Sequence, residues 1–167
     1  MEAAQGRTSQ AMFSSPGGAY ALLLHLDRQT HLDVGRLGRF AFPSGYYLYL
    51  GSALGGLKAR LSRHLRRPKT LRWHIDYLTA HAEVVEIWWH SDREKRECAW
   101  AALTLKLPGA NVPVPRFGSS DCRCPSHLVR LPARPGADML EDDNVSTLRL
   151  EPLTSPPSGY WRAKPGV

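Results

Sequence analysis

The chain has 167 residues, 43% of them hydrophobic, which is enough for one domain with a buried core plus tails. It contains no run of the ~18 apolar residues that a membrane span requires, and its first ten residues lack the apolar core of a secretory signal, so we expect a cytoplasmic protein. The net charge of +7 favours an acidic partner, with nucleic acid as the first candidate. The chain has three cysteines, which cannot all pair with one another, and this argues against a disulfide framework.

The first half of the predicted domain consists of two strands and a helix. Residues 18–26 form an apolar run that is typical of a buried strand, and the tyrosine-rich residues 46–51 suit a second strand. We expect these two strands to pair antiparallel across a long polar connection. A glycine turn follows, and leucines then recur every four residues, which predicts a helix over 57–67 with one apolar stripe.

The second half adds helices and a third strand. A short helix is predicted over 72–81, and residues 82–90, which are rich in β-branched and aromatic side chains, predict the strand. A serine with a glutamate three residues later is typical of a capping box, and it predicts a further helix over 92–106. A loop and a final short strand would complete the domain.

Both ends of the chain differ in composition from this region. Residues 1–16 are small and polar and predict a disordered leader, whereas residues 132–167 are proline-rich and predict a mostly disordered tail. The predicted domain therefore spans residues 17–131. Its expected fold class is α/β (α+β), with a small central antiparallel sheet of about three strands flanked by helices.

A basic stripe runs along the predicted first helix beside the apolar one. Its members occupy positions i, i+3, i+4 and i+7: Arg60, Arg63, His64 and Arg67. A solvated basic face is the ordinary explanation of such a stripe. Here the stripe follows a tyrosine-rich strand end and a glycine turn, a junction that can bring phenols, a guanidinium, an imidazole and backbone N–H groups around one phosphate. We therefore expect phosphate binding at this junction.

The order of these residues resembles the GIY-YIG nuclease superfamily, and more narrowly a branch of GIY-YIG-like domains found alone or fused to DNA-repair glycosylases. Gly18-Ala19-Tyr20 stands where the family has Gly-Ile-Tyr, and Tyr49-Leu50-Gly51 stands where it has Tyr-Ile-Gly. The family's serine after the second tripeptide, its helical arginine and histidine, and its metal-binding glutamate correspond to Ser52, Arg60, His64 and Glu97. Residues 27–44 would be an insertion between the tyrosines, and the polar residue that follows the family's glutamate lacks a clear counterpart.

The resemblance implies a metal-dependent endonuclease that hydrolyses DNA phosphodiester bonds, in DNA repair or nucleic-acid processing. Tyr20 and Tyr49 would lie side by side near the scissile phosphate, and Arg60 would clamp its non-bridging oxygens. His64 would hydrogen-bond a tyrosine or the phosphate, or take part in proton transfer, and Glu97 would hold one Mg²⁺ or Mn²⁺ ion. The residues expected to contact the substrate are Gly51, Ser52, Arg63, Arg67, His74 and Ser120.

Structural roles stay open for several of these residues. Tyr20 and Tyr49 could pack on the core as ordinary strand aromatics. Glu97 follows a run of charged residues, where an exposed, salt-bridged glutamate is common. A second histidine, His74, could approach the phosphate or make a structural contact with Asp76.

A cysteine-rich segment could form a second metal site. Cys122, Cys124 and His127 have a spacing that could supply three ligands to Zn²⁺, with Cys98 as a fourth, although Cys98 also suits the apolar face of its helix. The alternative is that the polar residues of this segment line the nuclease cleft: Ser119, Ser120, Asp121 and His127.

Two other functions are compatible with the chain. A binding module of the same fold would recognise single-stranded or branched nucleic acid without cutting it, and it would need the arginines but not Glu97. An adaptor would contact a protein partner through its tail, residues 132–167. For the nuclease the expected partner is DNA, whether single-stranded, branched or duplex, and no membrane is expected.

Overall fold

A computed structural model describes residues 17–66 and 69–151. The strands are β1 (Gly18–Leu26), β2 (Thr30–Val34), β3 (Gly38–Phe42), β4 (Gly45–Ala53), β5 (Glu83–His90), β6 (Leu128–Leu131) and β7 (Ser146–Arg149). The α-helices are α1 (Leu57–Leu65), α2 (His74–Thr79) and α3 (Glu97–Leu105). Five strands form an antiparallel sheet in the order β6-β4-β1-β5-β7, and β2 and β3 form a separate two-stranded sheet. None of the described helices is long and apolar enough to cross a membrane.

The predicted fold class, α/β with a central antiparallel sheet flanked by helices, is confirmed, although the sheet has five strands instead of about three. The predicted pairing of the first strand with the tyrosine strand is also confirmed, and it places Tyr20 opposite Gly51. β1 lies at the centre of the sheet because its side chains are apolar on both faces. All of its residues are buried except the partly exposed His25, as expected for a strand that is covered on both sides.

Helices cover both faces of the sheet. On one face, even-numbered residues of β1 pack with residues of α1 and α2: Tyr20, Leu22 and Leu24 with Leu57, Leu61, Ile75 and Leu78. On the other face, odd-numbered residues of β1 pack with residues of α3: Ala21 and Leu23 with Trp100 and Ala101. The alternation of side chains along a strand thus divides the core into two layers.

The segment 132–151 differs from the mostly disordered tail that its composition predicts. It contains a 3-10 helix, Ala137–Leu140, and the edge strand β7, which pairs with β5. Leu140 is buried in the α3 layer, and Leu148 packs against the opposite layer. A few apolar side chains are therefore enough to anchor a proline-rich segment. The expected leader, residues 1–16, and the rest of the expected tail, residues 152–167, lie outside the described residues.

The helix predicted from residue 92 begins at Glu97 instead. The carboxylate of Asp92 accepts the N–H of Glu94 and pairs with Arg96, and these contacts hold the preceding residues in a turn. Glu97 and Cys98 consequently lie in the first turn of α3. The buried face of α3 is formed by later residues, Trp100, Ala101 and Thr104, and Cys98 is exposed.

Candidate functional site

Two tyrosines and a histidine meet on the face of the sheet that α1 covers. Tyr20 and Tyr49 are diagonal neighbours on β1 and β4, and their ring centres are 6.4 Å apart. His64 comes from α1, and its Nε2 atom lies 2.6 Å from the Tyr20 hydroxyl oxygen. Tyr20 and His64 are each only 1% exposed, so this hydrogen bond is shielded from solvent. Three of the predicted catalytic residues therefore lie together.

The glycine opposite Tyr20 has a steric role. A Cβ atom on Gly51 would lie 2.5 Å from both Cζ and the hydroxyl oxygen of Tyr20, far inside van der Waals contact. Any side chain at this position would push the Tyr20 ring away from His64. Gly51 was expected to contact the substrate, whereas here it provides the space for a tyrosine ring.

Arg60 brings a permanent positive charge to the tyrosine pair. Its guanidinium lowers the pKa of Tyr20, and its Cζ atom lies 4.5 Å from the centre of the Trp73 ring. Trp73, which is 36% exposed, thus supports the arginine by a cation–π contact. Sequence reasoning missed Trp73, because the contact joins two elements and has no motif of its own.

Burial and charge set the protonation of these groups. Burial raises the pKa of Tyr20 well above its usual value, and the charge of Tyr49 raises it further, while Arg60 lowers it. Burial also raises the pKa of Tyr49 to about 12, again against the influence of Arg60. The pKa of His64 is lowered to about 3, chiefly by burial and then by Lys69. All three side chains are therefore neutral at pH 7.

Glu97 approaches the tyrosines from the start of α3. Its half-buried carboxylate accepts a hydrogen bond from the Ser52 hydroxyl at the end of β4. The charge of Glu97 contributes to the raised pKa of both Tyr20 and Tyr49. The carboxylate therefore lies within electrostatic reach of the tyrosine pair.

Arg63 makes an internal ion pair, which differs from the expected substrate contact. Its guanidinium donates to both carboxylate oxygens of Asp76 at 2.8 Å and lies 3.9 Å from the centre of the Trp73 ring. Asp76 is fully buried and also accepts the backbone N–H groups of Arg72 and Trp73. Burial would raise the pKa of Asp76, but these hydrogen bonds lower it to about 2. Arg63 therefore ties α1 to α2.

The other residues that were expected to contact the substrate differ in their surroundings. His74 accepts the backbone N–H of Gly118 at Nδ1, 2.9 Å away, and burial lowers its pKa. Ser120 is exposed, whereas its neighbour Ser119 is buried with a hydroxyl that has no hydrogen-bond partner among the described residues. Arg67 lies outside the described residues.

Four potential metal ligands come together beside Glu97. They are Cys98 in α3, Cys122 and Cys124 in the following loop, and His127 just before β6, and their ligand atoms all lie within 4.8 Å of one another. His127 Nε2 is 3.6 Å from the Sγ atom of Cys98 and 3.4 Å from that of Cys122. Burial lowers the pKa of His127, so the neutral ring can act as a ligand. The cluster could therefore hold a metal ion.

Gly118 connects this cluster to the tyrosine pair. Its N–H donates to Nδ1 of His74, and the backbone N–H of His127 donates to the carbonyl oxygen of the preceding residue, Phe117. Gly118 has a φ of +68°, and a Cβ atom there would lie 2.8 Å from Cε2 of Tyr49. Glycine suits this position on both counts. The turn at Gly118 thus packs directly against the ring of Tyr49.

Comparisons with known proteins place most of the chain in one family. A family model described as a domain of unknown function, DUF123, matches residues 19–148. This match extends beyond the domain end expected at Leu131 and includes much of β7. No curated protein and no solved structure matches the chain. Because the family model covers well over half of the sequence, the chain belongs to the DUF123 family.

Proposed function

We propose that the domain is a GIY-YIG-like endonuclease that depends on a divalent metal and hydrolyses DNA phosphodiester bonds, in DNA repair or nucleic-acid processing. The observation that carries the proposal is the convergence of Tyr20, Tyr49, Arg60 and His64 from β1, β4 and α1, with Glu97 within electrostatic reach. Core packing alone does not require an arginine and a carboxylate beside the buried Tyr20 and the partly buried Tyr49. Phosphoryl chemistry uses such a combination, since it needs both charge stabilisation and an oriented nucleophile.

The roles of the chain's own residues follow from their protonation. The neutral Tyr20 hydroxyl can donate to Nε2 of His64, while the neighbouring, partly exposed Tyr49 can hydrogen-bond a water molecule through its hydroxyl. This arrangement would orient the water for attack on phosphorus. The guanidinium of Arg60 would offset the charge that develops on the phosphate oxygens.

The carboxylate of Glu97 fits a hard divalent cation. Mg²⁺ in enzymes commonly binds through one or two carboxylates and keeps several waters, so a single half-buried glutamate is a suitable donor. A Mg²⁺ or Mn²⁺ ion held there would supply Lewis-acid stabilisation of the phosphate charge. Ser52 would hold the carboxylate in orientation through its hydrogen bond.

The cysteine cluster has a different donor set, and we propose a different ion for it. Thiolate and imidazole ligands favour Zn²⁺, whereas Mg²⁺ and Mn²⁺ favour carboxylates and water. Zn²⁺ would therefore occupy the cluster of Cys98, Cys122, Cys124 and His127, separately from the ion at Glu97.

One observation favours a second function, that of a nucleic-acid-binding module without catalysis. The raised pKa values of Tyr20 and Tyr49 and the lowered pKa of His64 leave none of these groups as a strong base near neutral pH. The same surface would then hold a phosphate through Arg60 and leave it intact.

A cleavage assay separates the two functions. Labelled single-stranded, duplex and branched DNA would be incubated with the full chain in Mg²⁺, Mn²⁺ or chelator, beside the variants Arg60→Ala and Glu97→Ala. The nuclease proposal predicts metal-dependent cutting that falls at least ~100-fold in both variants, a typical loss when one stabilising group is removed. Lys106→Ala, at the exposed end of α3, is the charge-matched control and should cut normally. Binding without cutting by the wild type would support the binding module instead, and neither binding nor cutting would contradict both.

A further inference from the structure

Two distances within the cysteine cluster match those of a tetrahedral zinc site, and all four ligand atoms lie within 4.8 Å of one another. Zn–S and Zn–N bonds of about 2.3 and 2.05 Å at tetrahedral angles place a sulfur and a nitrogen ligand about 3.6 Å apart. The observed separations from His127 Nε2 to the Sγ atoms of Cys98 and Cys122 are 3.6 and 3.4 Å. Three cysteines and one histidine form a common structural zinc set, with every coordination position taken by protein.

Hydrogen bonds from outside the cluster hold the ligands in place. The Arg116 guanidinium donates to the backbone carbonyl oxygens of Cys122 and Cys124, at 2.7 and 2.8 Å. The backbone N–H of His127 donates to the carbonyl oxygen of Phe117 at 2.8 Å. Such bonds fix the backbone that carries the ligands of the cluster. These hydrogen bonds therefore hold Cys122, Cys124 and His127 close together.

The cluster is joined to the proposed nuclease site at two points. Cys98 directly follows Glu97 in the first turn of α3, so a bond from Cys98 to a metal would restrain the backbone that carries the Glu97 carboxylate. Gly118 packs against both His127 and the Tyr49 ring. One ion would thus link the start of α3 to the turn that contacts Tyr49, although these lie some twenty residues apart in the chain.

We propose that Cys98, Cys122, Cys124 and His127 bind one Zn²⁺ ion, and that this ion is a structural brace that positions Glu97 and Tyr49. The zinc site itself stands on the geometry of its four ligands. The positioning of Glu97 for a second, catalytic ion rests on the proposed nuclease function.

The first arm of the test measures metal binding directly. The full chain, saturated with zinc and passed through gel filtration, should retain about one ion per chain by elemental analysis. The Co²⁺ form should show thiolate charge-transfer absorption and the visible bands of tetrahedral cobalt. The double variant Cys98→Ala/Cys124→Ala should lose both signals, while Cys98→His, which keeps a ligand at an exposed position, should retain the zinc. Zinc retention by the double variant, or none in the wild type, would overturn the proposal.

The second arm asks whether the ion positions the site. Zinc added to the metal-free chain should shift the backbone amide signals of Glu97, Gly118 and Tyr49 in a ¹H–¹⁵N spectrum, and leave the distant strand β2 unchanged. Equal shifts throughout the chain would indicate general stabilisation, and no shift at these three residues would contradict the brace. Mn²⁺ binding in the Cys98→Ala/Cys124→Ala variant should be about tenfold weaker than in the wild type and should recover in Cys98→His.

These readouts distinguish the failure of the brace from the failure of the nuclease proposal. A chain that binds zinc and shows the local shifts, but never cuts DNA, would keep the brace and lose the nuclease. A chain that cuts DNA without binding zinc would lose the brace and keep the nuclease.

Discussion

The hydrogen bond between Tyr20 and His64 is the most constrained contact of the candidate site. It joins the central strand to α1 over 2.6 Å, and neither residue is more than 1% exposed. Because burial lowers the pKa of His64 to about 3, the ring stays neutral, and Nε2 can accept a hydrogen bond from the Tyr20 hydroxyl. The Nδ1 atom of His64 has no partner among the described residues. A buried pair with unused hydrogen-bonding capacity is unusual in a core and is more common at functional sites.

Replacing Tyr20 with phenylalanine tests whether this hydroxyl matters for catalysis or only for stability. We expect Tyr20→Phe to lower the free energy of unfolding by about 1–2 kcal/mol, because it leaves a buried His64 nitrogen unpaired, and to reduce DNA cleavage at least tenfold. Tyr47→Phe is the matched control, since Tyr47 is also fully buried and donates its hydroxyl to the Pro43 carbonyl oxygen outside the site. It should cost similar stability and leave cleavage unchanged. Equal activity in both variants would argue against a role for the Tyr20 hydroxyl.

The lowered pKa of His64 predicts a pH-dependent loss of stability. An unfolded histidine titrates near pH 6.5, whereas folded His64 titrates at about pH 3, so the unfolded state binds more protons between these values. His64 therefore imposes no penalty above pH 6.5, and it destabilises the fold progressively as the pH falls toward 3. Between these two pKa values, each pH unit changes the free energy of unfolding by up to about 1.4 kcal/mol. From pH 6.5 to 5 we expect the unfolding free energy in urea to fall by about 2 kcal/mol more in the wild type than in His64→Gln. Parallel pH profiles would contradict this assignment.

At the scale of elements, Asp76 fixes the angle between α1 and α2. It accepts both nitrogens of the Arg63 guanidinium from α1 and two backbone N–H groups at the start of α2. α2 has only six residues, too few for a helix to be stable by itself. This buried carboxylate therefore holds α2 in place, and with it the Trp73 ring that supports Arg60.

The ion pair at Asp76 should contribute far more than one on the surface. We expect Asp76→Asn to lower the unfolding free energy by about 3 kcal/mol, because it removes one charge of a largely buried, bidentate pair. Asp33→Asn is the control, since the Asp33–Arg39 side chains are 72% and 65% exposed, and it should cost less than about 1 kcal/mol. Urea unfolding at pH 7 measures both values. Similar losses for the two variants would show that Asp76 does not hold the helices together.

At the scale of the whole molecule, the sequence predicted those strands and helices that depend only on the pattern of their own side chains. The apolar run of β1, the tyrosine strand and the leucine repeat of α1 each follow from the period of their own side chains. Structure that depends on specific side-chain hydrogen bonds could not be predicted from such periods. Asp92 delays the start of α3 through its bonds to Glu94 and Arg96. Cys98 therefore lies in the first turn of α3, where it is exposed and close to the other three potential ligands.

The same distinction applies to the candidate site. The order of the tyrosines, arginine, histidine and glutamate predicted a group of residues, and the fold brings Tyr20, Tyr49, Arg60 and His64 together. The pairing of Arg63 with Asp76 and the support of Arg60 by Trp73 depend on the packing of α1 on α2. The anchoring of β7 depends on an edge of β5 that lies some sixty residues earlier. Such contacts join distant segments and have no local pattern.

The most direct test of the nuclease proposal is the effect of Glu97→Gln on metal-dependent DNA cleavage. Glutamine keeps the shape of the side chain and an oxygen that can accept the Ser52 hydrogen bond, but it removes the charge that would hold Mg²⁺ or Mn²⁺. We predict that DNA binding changes less than about threefold, because Arg60, the proposed phosphate contact, remains, and that cleavage falls at least ~100-fold. Cleavage at the wild-type rate by a folded Glu97→Gln variant would contradict the assignment of this site.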